Sequence, residues 1–161
     1  MTWHGRVRPA TIRDIQQILP LWEALAGLHG ELDPALAVEE GAAREYAEFL
    51  RDTIGQPDTC VMLGIEGGQA VGFALGRIQA LPLAFRERRR GWIQDAFTIP
   101  QRRREGIGRQ LVEALLAWFS AHRVALVELT VAVRNPDAIR FWERLGFETY
   151  MYRLKRTATR R

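Results

Sequence analysis

The sequence has one cysteine, one lysine and no long apolar run, and each scarcity removes a class of protein. Cys60 alone cannot form an internal disulfide, and its place in an apolar run fits a buried, inert thiol better than a nucleophile. A membrane-spanning helix needs about eighteen or more consecutive apolar residues, and no such run is present. The opening residues, Met1-Thr-Trp-His-Gly-Arg6, carry no apolar stretch or cleavage pattern, so no signal peptide and a cytoplasmic location are expected. No group of His, Cys and carboxylates has metal-ligand spacing, so no metal is expected. No serine or cysteine is set up as a nucleophile. Without repeats or low-complexity linkers, the 161 residues lead us to expect a single domain, with a core over 7–154 and a basic tail over 155–161.

Positive charge is therefore almost all arginine, with Lys155 the exception, and the net charge is +4. It clusters at Arg86 to Arg90, Arg102 to Arg104 and Arg153 to Arg161. Such clusters serve nucleic acid or a polyphosphate ligand equally well. No aromatics are interleaved with Arg86 to Arg90 as a single-strand platform requires, so nucleic acid ranks last.

The hydrophobic periodicity changes once along the chain. Thr11 and Asp14 form an approximate capping box, and Ile12, Ile15, Ile18, Trp22 and Leu25 recur at helical spacing. Pro20 is expected to kink or split that helix. Residues 27–34, with His29, Glu31 and Asp33, read as a loop, and 38–54 as a second helix with Ala42, Tyr46, Phe49 and Leu50 on one side. Residues 60–65 and 70–78 then form a hairpin around Gly67-Gly68. Further strands are expected over 91–99, 124–133 and 147–154, separated by helices beginning near Ile107 and Ala138. The order describes an α/β domain with a mixed sheet.

Around Pro100 the pattern acquires chemistry. A strand end, a proline, Arg103-Arg-Glu-Gly-Ile-Gly108 and an amphipathic helix follow in sequence. Glycine lets backbone approach a ligand closely. The first amides of a helix lack intrahelical acceptors and lie at the positive end of its dipole. With Arg103, Arg104 and Arg109 nearby, the stretch is suited to a phosphate.

Pro100-Gln-Arg-Arg-Arg-Glu-Gly-Ile-Gly108 and Asn135-Pro-Asp-Ala-Ile-Arg-Phe-Trp-Glu-Arg-Leu-Gly-Phe147 together resemble two motifs of the GNAT superfamily of N-acetyltransferases. The resemblance implies an α/β fold with a mixed central sheet, splayed middle strands and flanking helices. It also implies acetyl-CoA as cosubstrate, a primary amine as acceptor and a homodimer. In this family the pyrophosphate would rest on the loop Arg103, Arg104, Glu105, Gly106, Ile107, Gly108 and Arg109. The pantetheine arm would follow the backbone near Phe97, Thr98 and Ile99, with Asn135, Phe141 and Trp142 contacting the rest.

The match departs at Trp142, where many relatives carry a tyrosine taken to protonate the departing thiolate. Tyr150 or Tyr152 would have to substitute, unless they are packing residues. Asp95 lies three residues before Thr98 and is placed to deprotonate an amine, or to hold a neighbouring loop or arginine. His29 and Asp33 would line the acceptor site, or Asp33-Pro34 is turn chemistry. A non-catalytic acyl-CoA sensor or interaction module is the alternative function.

Overall fold

A computed structural model describes residues 3–158. Contacts divide the chain into two units, each compact in itself, one ending at Thr130 and the other beginning at Val131. The first holds a five-stranded sheet in the order β1 (Arg6–Pro9), β2 (Thr59–Glu66), β3 (Gln69–Ala80), β4 (Arg89–Thr98), β5 (Val127–Glu128). The first three pairings are antiparallel and the last is parallel, so the sheet is mixed, as the element order implied.

Three helices cover the sheet: α1 (Ile15–Leu32), α2 (Ala42–Thr53) and α3 (Ile107–Ala121). Ile15, Ile18, Leu21 and Leu25 of α1 and Tyr46, Ala47 and Leu50 of α2 pack on Val61, Leu63, Ile65, Phe73, Leu75 and Phe97. These strand residues alternate, so they share one face of the sheet. The other face meets α3 through glycines. A Cβ on Gly64 would approach Ile107, one on Gly72 would approach Leu111, and one on Gly76 or Gly91 would lie 2.8 Å from the Phe119 ring. Covered on both faces, β2 is buried from Thr59 to Ile65, which is why its hydropathy does not alternate.

Several expectations give way to packing. Pro20 lies inside α1, which is not split. A mid-helix proline costs about 3 kcal/mol, whereas burying each large aliphatic side chain returns about 1.5–3 kcal/mol, and α1 buries four. The same helix continues through residues predicted as a loop, so His29 and Glu31 are helical. Gly30 tolerates this because its bare Cα faces the turn at Pro34–Leu36, where a Cβ would sit 3.3 Å from Ala37. The long strand expected over 124–133 contracts to Val127–Glu128, the only two residues with ladder partners on β4.

In the second unit, α4 (Pro136–Arg144) forms where a helix was expected. Asn135 caps it by accepting a 3.1 Å hydrogen bond from the Ala138 amide, and Gly146, at φ 87°, closes it. The strand expected over 147–154 does not form. These residues have no ladder partner, and an alternating pattern alone supplies no hydrogen bonds. The tail expected over 155–161 lies partly outside the described residues. Among those described, no helix is long and apolar enough to cross a membrane.

Candidate active site

Strand β4 positions two groups of residues, one at its end and one on its α1–α2 face. Past Thr98, a short turn (Pro100–Arg102) leads through Arg104, whose φ is 65°, to Gly106 at φ 88°. That left-handed geometry is what glycine supplies. Gly106 is the N-cap of α3, and the first helical bond runs from the Gln110 amide to the Gly106 carbonyl, 3.0 Å. The amides of Ile107, Gly108 and Arg109 therefore have no intrahelical acceptors.

The arginines here divide their work. Arg102 bridges Glu66, at the end of β2, and Glu105, 3.1 Å away, tying the turn to the hairpin. Its Nε is buried without a partner among the described residues. Arg103 donates from Nε to the Thr98 carbonyl, 3.2 Å, with its guanidinium 5.7 Å from the Phe97 ring centre. Arg104 is exposed, and Arg109 pairs with Glu113 at 2.7 Å. Farther away, Arg88, Arg89 and Arg90 bond to Leu83, His122 and Glu128, so much of that basic cluster serves the fold.

Among the described residues, the backbone of β4 has no ladder partner on its β5 side near this turn. Its parallel ladder with β5 ends at Trp92, as splayed strands imply. The Ile99 amide donates to Val71, 3.0 Å, and its carbonyl accepts from Arg102, so both backbone groups of Ile99 have partners within the protein. Backbone direction alternates along a strand, so the N–H of Thr98 points away from β3. Phe97 alternates the other way and faces β3, where its carbonyl crowds Gly72.

The face toward α1 and α2 carries Asp95. Leu75 pairs with Asp95 but Gly76 pairs with Ile93, making Gln94 the extra residue of a β-bulge. The bulge brings two consecutive side chains together: Gln94 donates to Asp95 Oδ2 at 3.4 Å. Tyr46 of α2 donates to the same oxygen at 2.9 Å. Its ring stacks on Trp22, with centroids 4.3 Å apart and planes 11° apart, and Phe49 lies beyond at 5.6 Å. Burial raises the Asp95 pKa above the usual carboxylate value, opposed by the Tyr46 and Gln94 hydrogen bonds and the charge of His29. Burial, and then Asp95, hold the Tyr46 phenol far above its ordinary range. It remains a protonated donor.

Two residues along the same face, Phe97 borders a cavity of about 410 Å³ lined also by Ala24, Gly27, Leu28, Glu31, Pro100 and Arg103. The structure thus brings Asp95 within the electrostatic influence of His29 and gathers Phe97 and Arg103 at one opening. Asp33 is instead used locally, its Oδ1 accepting from the Ala35 amide at 3.0 Å. Glu31, rather than Asp33, lines the cavity. Tyr46, the partner of Asp95, was not singled out from the sequence because its spacing marks only an apolar helix face. In the second unit, Trp142 packs edge-on between Phe141 and Phe147, and Tyr150 is 64% exposed. Cys60 is buried and its thiol is pushed up to about 11 by burial, which suits an inert core residue.

Residues 22–147 match the family model described as the acetyltransferase (GNAT) family. The chain belongs to this family. An uncharacterized N-acetyltransferase of Methanocaldococcus jannaschii is 39% identical over 56 residues, covering 35% of the chain but only 25% of that relative. A mutant of the BH1408 protein from Bacillus halodurans superposes with a TM-score of 0.85 at 20% identity, covering 96% of the chain and 99% of that structure. A predicted acetyltransferase from Clostridium acetobutylicum, solved with acetyl-CoA, gives 0.78 at 15% identity over 95% and 96%. These structural similarities carry the fold. Among the described residues, no three His, Cys, Asp or Glu side chains gather as a metal would require.

Proposed function

We propose that this GNAT-family chain transfers an acetyl group from acetyl-CoA to a primary amine. The observation that carries the reading is the start of α3. Three amides without intrahelical acceptors, beside Arg103 and Arg104, follow directly from the strand that bears Asp95. The residues present suit a pyrophosphate: helix-start amides supply hydrogen bonds and positive potential, and arginines add charge. Acetyl-CoA supplies an acetyl group already activated as a thioester.

The protein's part is orientation, proton removal and charge stabilisation. An alkyl ammonium has a pKa of about 10.4 and must lose a proton before it attacks. Asp95 is the base in this reading, because burial raises its proton affinity while Tyr46 and Gln94 fix its Oδ2. The outward N–H of Thr98 is the donor for oxygen charge developing on the acetyl carbonyl. Glu31, at the cavity lined by Leu28 and Phe97, gives an acceptor cation an electrostatic entrance.

The test pairs calorimetric titration with acetyl-CoA and coenzyme A release over aliphatic amines, aminoglycosides and lysine-containing peptides. Binding with amine-dependent release is expected. Binding without release on any amine would favour a sensor, and failure to bind acetyl-CoA would remove both readings.

A further inference from the structure

The contact between Tyr46 and Asp95 joins residues 49 positions apart in the sequence. Tyr46 is buried on α2, and Asp95 lies at the bulge of β4. Two donors, the Tyr46 hydroxyl and the Gln94 amide, converge on one carboxylate oxygen, Oδ2. A hydrogen bond to a half-buried carboxylate such as Asp95 restricts the group's rotation as well as stabilising its charge. The Tyr46 ring has little freedom itself, since Trp22 stacks on it and Phe49 packs beside it.

We propose that Tyr46 is a positioning residue: it clamps Asp95 through Oδ2 and turns Oδ1 toward the acceptor amine. This rests on the reading of Asp95 as the base. The step is balanced within the active site. The ammonium proton passes to Oδ1, and the freed nitrogen lone pair forms the new bond to the acetyl carbon. The carbon–sulfur bond breaks with its electrons on the thiolate, and the second proton of the acylated nitrogen passes to that thiolate to give the free thiol and the neutral amide. Tyr46 keeps its proton throughout. A phenol that transferred its own proton would need a pKa near the working pH, whereas burial and Asp95 hold this one far above it.

The groups around Asp95 define the pH dependence. His29 acts on it from α1, Tyr46 from α2 and Gln94 from its own strand. On β3 its register partner is Leu75, and the cation on that face, Arg77, lies over Phe49 at 5.7 Å. Tyr46 lowers the Asp95 pKa by hydrogen bonding the charged form. Removing the hydroxyl therefore raises it further.

The decisive comparison is wild type, Tyr46→Phe and Asp95→Asn, each labelled with 13C-carboxyl aspartate and titrated by NMR, Asp95→Asn providing the assignment. Rates are measured on the same amine panel with saturating acetyl-CoA. In Tyr46→Phe the Asp95 midpoint should rise by about one pH unit, the roughly tenfold change expected for a hydrogen bond to a charged group. The acid limb of kcat should move with it, with kcat down about tenfold and KM for the amine little changed. An unmoved midpoint and rate profile would overturn the clamp, even with a lower melting temperature, which a merely structural tyrosine would also give. If Asp95→Asn retains full activity and the wild-type acid limb, the base reading itself fails. If that limb is lost in Asp95→Asn but unmoved in Tyr46→Phe, only the clamp fails. On an amine panel without turnover the NMR midpoint alone decides whether Tyr46 holds Asp95.

Discussion

The turn into α3 and the wall formed by α1, α2 and the face of β4 adjoin the same strand but are built differently. The turn offers mostly backbone. Its donors are helix-start amides, its shape comes from Arg104 and Gly106 at positive φ, and its components lie within about ten consecutive residues. The wall offers side chains supplied by distant segments, with Tyr46, Asp95 and the cavity residues of α1 brought together only by packing. A contiguous backbone site suits a phosphate group that many proteins share. A wall assembled from side chains is free to vary with the acceptor.

That contrast predicts separable failures. The largest belongs to Gly106→Asp, which places a carboxylate beside the phosphate site and at a φ that costs a substituted residue about 1–2 kcal/mol. Calorimetry should detect no acetyl-CoA binding, while circular dichroism retains the folded spectrum. Wild-type affinity in that variant would move the cofactor elsewhere. Asp95→Asn should do the opposite, leaving acetyl-CoA affinity within about twofold and lowering amine turnover about a hundredfold or more. Because burial raises the Asp95 pKa above its unfolded value, holding the ionised carboxylate costs folding stability above an unfolded carboxylate pKa of about 3.9. Removing that charge should hold or raise the melting temperature, an outcome opposite to that for a carboxylate kept for stability.

Smaller effects sharpen the boundary. Glu66→Gln removes one carboxylate from Arg102 without touching residues 103–109 of the proposed acetyl-CoA loop. A partly exposed pair contributes up to about 1 kcal/mol, so acetyl-CoA affinity should fall about threefold by calorimetry, with amine KM unaltered. Asp14→Asn should affect neither site. Asp14 is buried, accepts bonds from both terminal nitrogens of Arg8 at 2.8 and 2.7 Å, and accepts from the Thr11 amide at 2.8 Å. The Arg8 hydrogen bonds hold its carboxyl well below the usual range. Its stabilisation is therefore complete above an unfolded carboxylate pKa of about 3.9 and is lost as pH falls through the lower folded value. Urea unfolding should show a loss of about 1–3 kcal/mol at neutral pH, shrinking in acid.

The same contrast explains which parts were legible in the sequence. Gly106, Gly108 and the arginines stand in one stretch whose chemistry is local, so the turn and the start of α3 at Ile107 could be read directly. The hairpin at Gly67-Gly68 and the apolar stripe of α3 were local signals too. Tyr46 is different: helical spacing assigns it to a buried face but says nothing of Asp95 across 49 residues. The bulge at Gln94 is equally silent, because it is defined by the register of β3. Helix α1 ran on past Pro20 and Gly27 because burial outweighed local propensity, and this moved His29 and Glu31 from a loop to a helix. Residues 124–133 and 147–154 show the converse, where β-type patterning found ladder partners for only two residues.

The central claim is that one strand joins an acetyl-CoA site to an amine-activating wall. It is tested most directly by measuring coenzyme A release against amine concentration for wild type, Gly106→Asp and Asp95→Asn, with acetyl-CoA binding measured on the same samples. The account predicts amine-dependent release by wild type, loss of binding and release in Gly106→Asp, and loss of release with binding intact in Asp95→Asn. Undiminished release by Gly106→Asp and Asp95→Asn would contradict it.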